Sequence, residues 1–257
     1  MPITSPPALQ LYTLREQLGD DRAGVLRKVA AFGYGAIEPY DVVTDPDRLR
    51  AELDEAGLSV CSVHGQVLGD VDAAATFAGA RTVGSGTVVV PFQPPERYAD
   101  ADAVAAVARE LNAAAAVAAD HGLRLGYHNH AFELSSSIGG RPALEVLADA
   151  LDERVVLEVD TYWAAVGGQD VPALLGRLGD RVRYLHVKDG PVTQDDPMTA
   201  VGDGVMPIAD VLAACPSAEW HVVELDRCAT DMLTAVGDSL AWLAEHDLAT
   251  PVRRAGA

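Results

Sequence analysis

The chain has 257 residues, a net charge of −19 and 49% hydrophobic residues. That size and apolar content supply the core of one large domain or two small ones. The charge argues against a nucleic-acid partner, which needs a basic footprint, and favours solubility. No run reaches the roughly eighteen apolar residues of a membrane span. The opening MPITSPPALQ lacks the basic and apolar regions of a secretory signal. Cys61, Cys215 and Cys228 are widely spaced, show no metal-type spacing and leave one unpaired. They are expected as reduced thiols in a cytoplasmic protein.

In chain order, Ala8 to Leu14 predicts a first strand and Asp21 to Phe32 a helix stopped by Gly33. Gly35 to Pro39 is a second strand, Asp47 to Ala56 a helix ended by Gly57, and Leu58 to His64 a third strand. Asp70 to Gly79 predicts a helix and Gly86 to Val90 a fourth strand. Ala101 to His121 is a long Ala-rich helix with a stop at Gly122. A fifth strand opens at Leu123 and runs into GYHNHAFEL, Gly126 to Leu134. Arg141 to Leu151 reads as helix, Arg154 to Asp160 as the sixth strand, and Val171 to Leu178 as helix. Val182 to Lys188 is the seventh strand, Pro207 to Ala214 a short helix, Glu219 to Leu225 the eighth strand and Asp231 to His246 the last helix. The tail after Thr250 is expected to fray.

Strand and helix thus alternate eight times, with no Pro/Gly/Ser linker between halves and no low-complexity block. The pattern is α/β with a parallel sheet, and about 250 residues is the usual size of an eight-fold barrel. The expected fold is a single (β/α)8 TIM barrel over residues 1–257. An open doubly wound sheet is the alternative, but the glycine pattern of a dinucleotide fold is missing after the first strand.

The ionisable residues fall at one end of these strands. Glu38 ends the second strand, His64 the third, His128 and His130 the fifth, Asp160 the sixth, His186 and Lys188 the seventh, and Glu224 the eighth. On a strand, alternate residues share a face, so His128 and His130 point the same way. Taken alone they could be two exposed loop histidines; so many polar residues at the same strand ends favour a site at the C-terminal mouth. Such a nitrogen and carboxylate set suits a divalent ion. His121 and His246 close helices and suit helix C-termini. His221 is mid-strand with parity opposite to Glu224. Glu158, one pleat below Asp160, reads as a buried structural carboxylate paired with an arginine. Asp160 itself could instead cap the following loop, Lys188 could pair with Asp189 at the surface, and Glu38 could tie down a loop. Gly202-Asp203-Gly204 offers backbone donors to a phosphate, but its acidic surroundings argue against one.

The run VDTYWAAVGGQDVPALLGRLGDRVRYLHVKDG, then VGDGVMPIADVL and EWHVVELDRC, resembles the xylose-isomerase-like barrel superfamily. Within it, the chain is similar to sugar phosphate isomerase/epimerase proteins related to inosose dehydratases and ketose 3-epimerases. LQLYTLRE, GYGAIEPY, SVHGQV and GYHNHAFEL extend the likeness over almost the whole chain. The resemblance implies one divalent ion (Mn, Mg, Co or Zn) held by His128, Asp160, His186 and Glu224. It departs from the ketose epimerases at His128, where they carry a glutamate, and at Trp163, where many relatives carry a histidine. A tryptophan there is a stacking wall for a sugar ring.

The implied function is a metal-dependent sugar isomerase or epimerase acting on a small keto-sugar or cyclitol through an enediolate. Glu224 is the expected base, His130 the acid on the other face, and Lys188 the contact to a substrate oxygen. Glu38, His64, Trp163 and Arg227 are expected to bind substrate. If no second acid is placed, loss of water or of a glycosidic group from a 3-keto-sugar or inosose competes, and the exchange at His128 leans that way. A barrel that binds sugars without turnover is a further alternative. DNA repair at abasic sites, also found in this superfamily, is disfavoured by the charge. Assembly into a homo-oligomer is left open.

Overall fold

A computed structural model describes residues 6–253. Eleven strands are present among them: β1 (Ala8–Gln10), β2 (Ala36–Glu38), β3 (Ser59–Val60), β4 (Val63–His64), β5 (Thr87–Val90), β6 (Arg124–His128), β7 (Ser137–Ile138), β8 (Arg141–Pro142), β9 (Val155–Asp160), β10 (Val182–Val187) and β11 (Trp220–Val223). Ten α-helices accompany them: α1 (Arg15–Phe32), α2 (Pro46–Ala56), α3 (Ala73–Thr82), α4 (Ala101–Asp120), α5 (Phe132–Ser135), α6 (Ala143–Ala150), α7 (Thr161–Val166), α8 (Val171–Leu178), α9 (Ile208–Ala213) and α10 (Met232–Glu245). Nine strands form one parallel sheet in the order β3-β2-β1-β11-β10-β9-β6-β5-β4. Its two end strands are halves of the third predicted strand, joined through Cys61-Ser62, so the sheet curls into a nearly closed TIM barrel.

All eight expected strands and all eight expected helices form. Aspartates open six of the helices: Asp45, Asp72, Asp100, Asp160, Asp170 and Asp231 each accept a backbone N–H of the first turn. Part of the acidic excess is therefore local helix chemistry.

The differences have local causes. Leu11–Leu14 is a 3-10 turn instead of strand, because the Gln10 side chain accepts the Tyr12 N–H at 3.0 Å. Helix α1 starts at Arg15, earlier than expected, and kinks at Asp21 (φ −150°, ψ 78°). Helices α5 and α7 and the β7–β8 hairpin are too short for sequence periodicity to reveal. The tail does not fray at Thr250: the Val252 N–H donates to the Gly33 carbonyl at 2.8 Å. Residues 254–257 lie outside the described part.

The barrel interior is stacked in layers. At the N-terminal end, Arg124 donates to Glu219 (2.6 and 2.8 Å), Tyr184 Oη (2.8 Å) and Thr87 Oγ1 (3.2 Å). Above it sit the small residues Ala8, Ala36, Cys61 and Val222. A polar layer follows, in which Gln10 Nε2 donates to Glu38 at 2.7 Å and Ser62 Oγ also donates to Glu38. Outside the sheet, residues of opposite parity pack against the helices in a continuous apolar shell that includes Leu9, Ile37, Leu125, Leu157 and Leu185.

Gly79 shows how tightly that shell is closed. A Cβ there would lie 1.8 Å from the carbonyl oxygen of Val42. An alanine normally favours a helix interior by about 1 kcal/mol over glycine, but forced overpacking costs about 1–3 kcal/mol. Gly79→Ala is therefore expected to lower stability, read as a reduced urea midpoint with unchanged slope.

Candidate metal centre and active site

The barrel mouth gathers the polar strand ends. His128 Nδ1 lies 3.1 Å from Glu158 Oε2, and its Nε2 lies 3.8 Å from Asp160 Oδ2. His186 Nδ1 lies 2.7 Å from Glu224 Oε2, while its Nε2 lies 2.8 Å from Glu38 Oε2 and 3.1 Å from Glu158 Oε2. Lys188 Nζ stands 2.9 Å from Asp160 Oδ2, 2.7 Å from Glu224 Oε2 and 2.9 Å from Asp226 Oδ2. All of these residues but Asp226 are buried.

His128, Asp160, His186 and Glu224 each offer a ligand atom, and the four atoms all lie within 4.8 Å of one another. These are the four residues expected to share an ion. A second, overlapping set is His64, His128, Glu158 and His186. Donor chemistry fits a divalent ion at the first set. Asp160 Oδ2 is buried and accepts no hydrogen bond, although the ammonium of Lys188 is near. Two imidazoles with two carboxylates match manganese, cobalt or zinc better than magnesium.

The electrostatics favour that use. Burial holds His128 well below the ordinary imidazole value, so it is neutral. With Nδ1–H donated to Glu158, its Nε2 lone pair is free on the Asp160 side. Burial raises Asp160 to about 6, against the pull of Lys188 and His186. For His186, burial works downward, but Glu158 and Glu224 outweigh it and hold the ring well above its usual value. Burial also opposes the Lys188 charge, and Asp160, Asp226 and Glu224 overcome it. Lys188 therefore stays an ammonium, which donates and cannot act as a base. Glu224 is raised by burial but lowered further by Lys188 and His186, ending well below the usual carboxylate value.

Above these groups lies a cavity of about 470 Å³ lined in part by His64, His128, His130, Trp163, Lys188, Glu224 and Asp226. Trp163 lines the cavity, with its Nε1–H donated to Asp226 Oδ2 at 3.1 Å. His130 lies just past β6, its ring stacked on Phe132 and edge-on to Phe92. Burial lowers it to about 4, so it is neutral, and its Nδ1 has no hydrogen-bond partner.

Several expectations need correction. Glu158 is not paired with an arginine: its Oε2 meets His64 Nε2 at 2.6 Å as well as His128 and His186. The register His128↔Glu158 places an imidazole beside it on the neighbouring strand. Glu38 is fully buried in the layer beneath the cavity and does not line it, so it is no substrate contact. Arg227 is exposed and donates to the carbonyls of Gln194 and Asp196, outside the cavity lining. Lys188 makes no surface pair with Asp189. The Asp189 carboxylate accepts the N–H groups of Gly190 (2.8 Å), Gly202 (2.9 Å) and Met206 (3.0 Å). It thus takes the Gly202 N–H, one of the glycine-turn donors that a phosphate would need. Asp160 caps α7, its Oδ1 accepting the Trp163 N–H at 2.8 Å, and this leaves Oδ2 beside His128, His186 and Glu224.

Asp226 and Glu133 were not singled out from the sequence. Asp226 continues the Glu224 parity and was legible. Glu133 is buried in α5, where its Oε1 accepts from Tyr127 Oη at 2.6 Å and its Oε2 from the His130 N–H at 2.8 Å. Only the fold of the β6–α5 turn reveals it.

Fold and site together define a parallel eight-fold barrel with a buried imidazole and carboxylate centre at its C-terminal mouth. The chain belongs to the xylose isomerase-like TIM barrel family, whose model matches residues 26–246. An inosose dehydratase of Geobacillus kaustophilus is 28% identical over 191 residues, covering 64% of this chain and 61% of that protein. The match thus spans about three fifths of the relative's length. Among solved structures, a sugar phosphate isomerase/epimerase from Parabacteroides distasonis superposes with a TM-score of 0.81 at 22% identity, covering 95% of each chain. A D-psicose 3-epimerase superposes with a TM-score of 0.66 at 14% identity, covering 96% of this chain and 100% of the other. Among the described residues, no helix is long and apolar enough to cross a membrane.

Glu133 gives the site a measurable pH signature. Burial raises its carboxyl from 4.5 to about 8, despite the hydrogen bond from Tyr127. A folded value above the unfolded one stabilises the protein fully below the unfolded value, and that contribution is lost as pH rises through about 8. At about 1.4 kcal/mol per unit, the expected decline between those pH values is on the order of a few kcal/mol. Glu133→Gln should flatten it, measured as thermal midpoint against pH.

Proposed function

We propose that the chain is a metal-dependent enzyme that removes the proton beside the carbonyl of a small keto-sugar or keto-cyclitol and then expels a β-substituent, as a dehydratase does. His128, Asp160, His186 and Glu224 would hold one divalent ion, with manganese, cobalt or zinc the expected metals. When bound, that ion supplies a Lewis acid for the carbonyl and a neighbouring hydroxyl of the substrate.

Glu224 is the base. Its contacts to His186 and Lys188 both use Oε2, which leaves Oε1 for the substrate proton. Lys188 faces the cavity as a fixed ammonium and donates to the oxygen on which charge develops. Trp163 offers an apolar face to the sugar ring.

One observation carries the choice of elimination. The carboxylates lining the cavity, Glu224 and Asp226, both lie just past the end of β11, the eighth barrel strand. Across the barrel, at the ends of β4 and β6, the lining offers His64, His128 and, just past β6, His130. Epimerisation needs a proton donor on the face opposite the base. The neutral rings His128 and His130 are poor proton donors, and His64, which burial pushes down but Glu38 and Glu158 hold above its usual value, spends its Nε2 on Glu158. Elimination needs only that the leaving oxygen be protonated, which Glu224, carrying the abstracted proton, does from its own face. The dehydratase relative supports the same reading.

Epimerisation or isomerisation is the second reading, favoured by His130, which lines the cavity and has one buried ring nitrogen without a hydrogen-bond partner. NMR in deuterated water with metal-loaded protein separates the two. With inososes and 3-keto-sugars an unsaturated product is expected, and Glu224→Gln should lower its formation at least a hundredfold. Deuterium uptake without loss of a group would favour epimerisation, and no exchange with any substrate would exclude both.

Glu158 is expected to act on the ion through its imidazole partners. Glu158→Gln should weaken divalent-ion binding about 10- to 100-fold, measured by calorimetry with manganese or zinc. Unchanged affinity would remove Glu158 from the support of the centre.

A further inference from the structure

Aromatic side chains crowd the rim of the same cavity on the side away from the ligand set. Tyr12 is 42% exposed, Tyr40 39% and Phe92 42%, and all three line the cavity. They are three of the four exposed large aromatics among the described residues, the other being Phe32. Exposed apolar groups scattered singly are ordinary, but a cluster rimming a concave site marks a binding surface. They follow β1, β2 and β5, which form one arc of the barrel; the four ligand residues belong to the other arc, β6, β9, β10 and β11.

These rings are held in place. The Tyr12 and Tyr40 rings meet edge to face at 5.3 Å. The Arg15 guanidinium covers Tyr12 at 4.4 Å, and its Nη1 donates to the Tyr12 carbonyl at 2.9 Å. The Phe92 carbonyl accepts from both Gln66 Nε2 and Gln93 Nε2 at 2.9 Å, and Arg97 Nη1 donates to Gln93 Oε1 at 2.9 Å. Tyr12 and Phe92 are therefore exposed on an anchored backbone, and Tyr40 is held through its ring contact with Tyr12.

We propose that this arc is a subsite for an apolar, ring-bearing substituent on the substrate, so that the ligand is a glycoside of a keto-sugar with an aromatic aglycone and not a bare monosaccharide. The inference rests on the keto-sugar reading above and adds the part of the substrate outside the reacting ring. The volume agrees: about 470 Å³ falls within the roughly 300–1,000 Å³ that bury drug-sized ligands, more than one sugar ring fills. Charge agrees as well. Lys188 is the cavity's sole lysine or arginine and is already paired with three carboxylates. In the glycine turn, the Gly202 N–H is taken by Asp189 and the Asp203 N–H by the Ala200 carbonyl. A phosphate or carboxylate on the substituent finds no partner there, whereas a neutral ring finds the faces and edges of Tyr12, Tyr40 and Phe92.

The test compares phenyl and methyl 3-keto-glucosides on the metal-loaded full chain, by calorimetry for binding and by NMR for turnover. Wild type should bind the phenyl compound roughly three- to tenfold more tightly. Tyr40→Ala and Phe92→Ala, at exposed positions, should each bring that ratio toward one. Preferential binding without turnover would uphold the subsite and overturn the reaction. Turnover with no phenyl preference, or a preference that neither variant changes, would overturn the subsite. Binding of neither compound would overturn it too, as would a second copy of the chain found by sedimentation to cover the mouth.

Discussion

The carboxylate of Glu158 is the constraint from which the site is built. It is fully buried, and its Oε2 is in contact with one nitrogen from each of His64, His128 and His186. A buried carboxylate without partners would shed its charge or unfold the barrel. Burial indeed works upward on Glu158, but the imidazoles reverse it and hold the group well below its usual value. The same contacts fix the rings. With one nitrogen of His128 and one of His186 committed to the layer below, the other nitrogen of each lies in the upper ligand set. Glu38 braces that arrangement from the side, itself held by Gln10 and Ser62.

Such a layer does little for stability. Desolvating an ion costs several kcal/mol even after relaxation, roughly what a good pairing returns. The barrel tolerates it because the rest of its cross-section is well filled. Small residues occupy the level below, and Arg124, donating to Thr87, Tyr184 and Glu219, closes the N-terminal end. Gly126 shows how little room the interior spares: a Cβ there would stand 3.1 Å from Val89 Cγ2. Function accounts better than stability for keeping so many ionisable groups in that space.

Strand-end parity made the polar mouth legible in the sequence, and the family resemblance picked four candidate ligands out of it. His128, Asp160, His186 and Glu224 come from four strands of one parallel sheet, and counting pleats from each strand end places them together. Depth was not legible. Parity says that Glu38 and Glu158 face inward, but not that they lie one layer below the cavity, and it names no partner. Arginine, the ordinary partner of a buried carboxylate, was the wrong choice because the β6–β9 register sets His128 beside Glu158. Arg227 lies beyond the end of β11, where alternation no longer governs direction and two backbone carbonyls claim the guanidinium. The anchors of the rim belong to loops whose conformation only the assembled fold determines.

Lys188 draws these strands of argument together. It is one of only two lysines in the chain, and it is buried where Asp160, Glu224 and Asp226 converge. Three carboxylates carry three negative charges, and the ammonium answers one. A divalent ion held there would answer the other two, with His128 and His186 neutral as ligands must be. Without the ion, protons take its place: His186 is held charged between carboxylates, and Asp160 is raised toward neutrality. A bound ion and bound protons would thus compete for the same groups. A planar guanidinium, with five donors in a fixed fork, would not serve in place of a compact ammonium at that junction. Lysine there, in a chain that otherwise prefers arginine, is what the geometry of the three carboxylates requires.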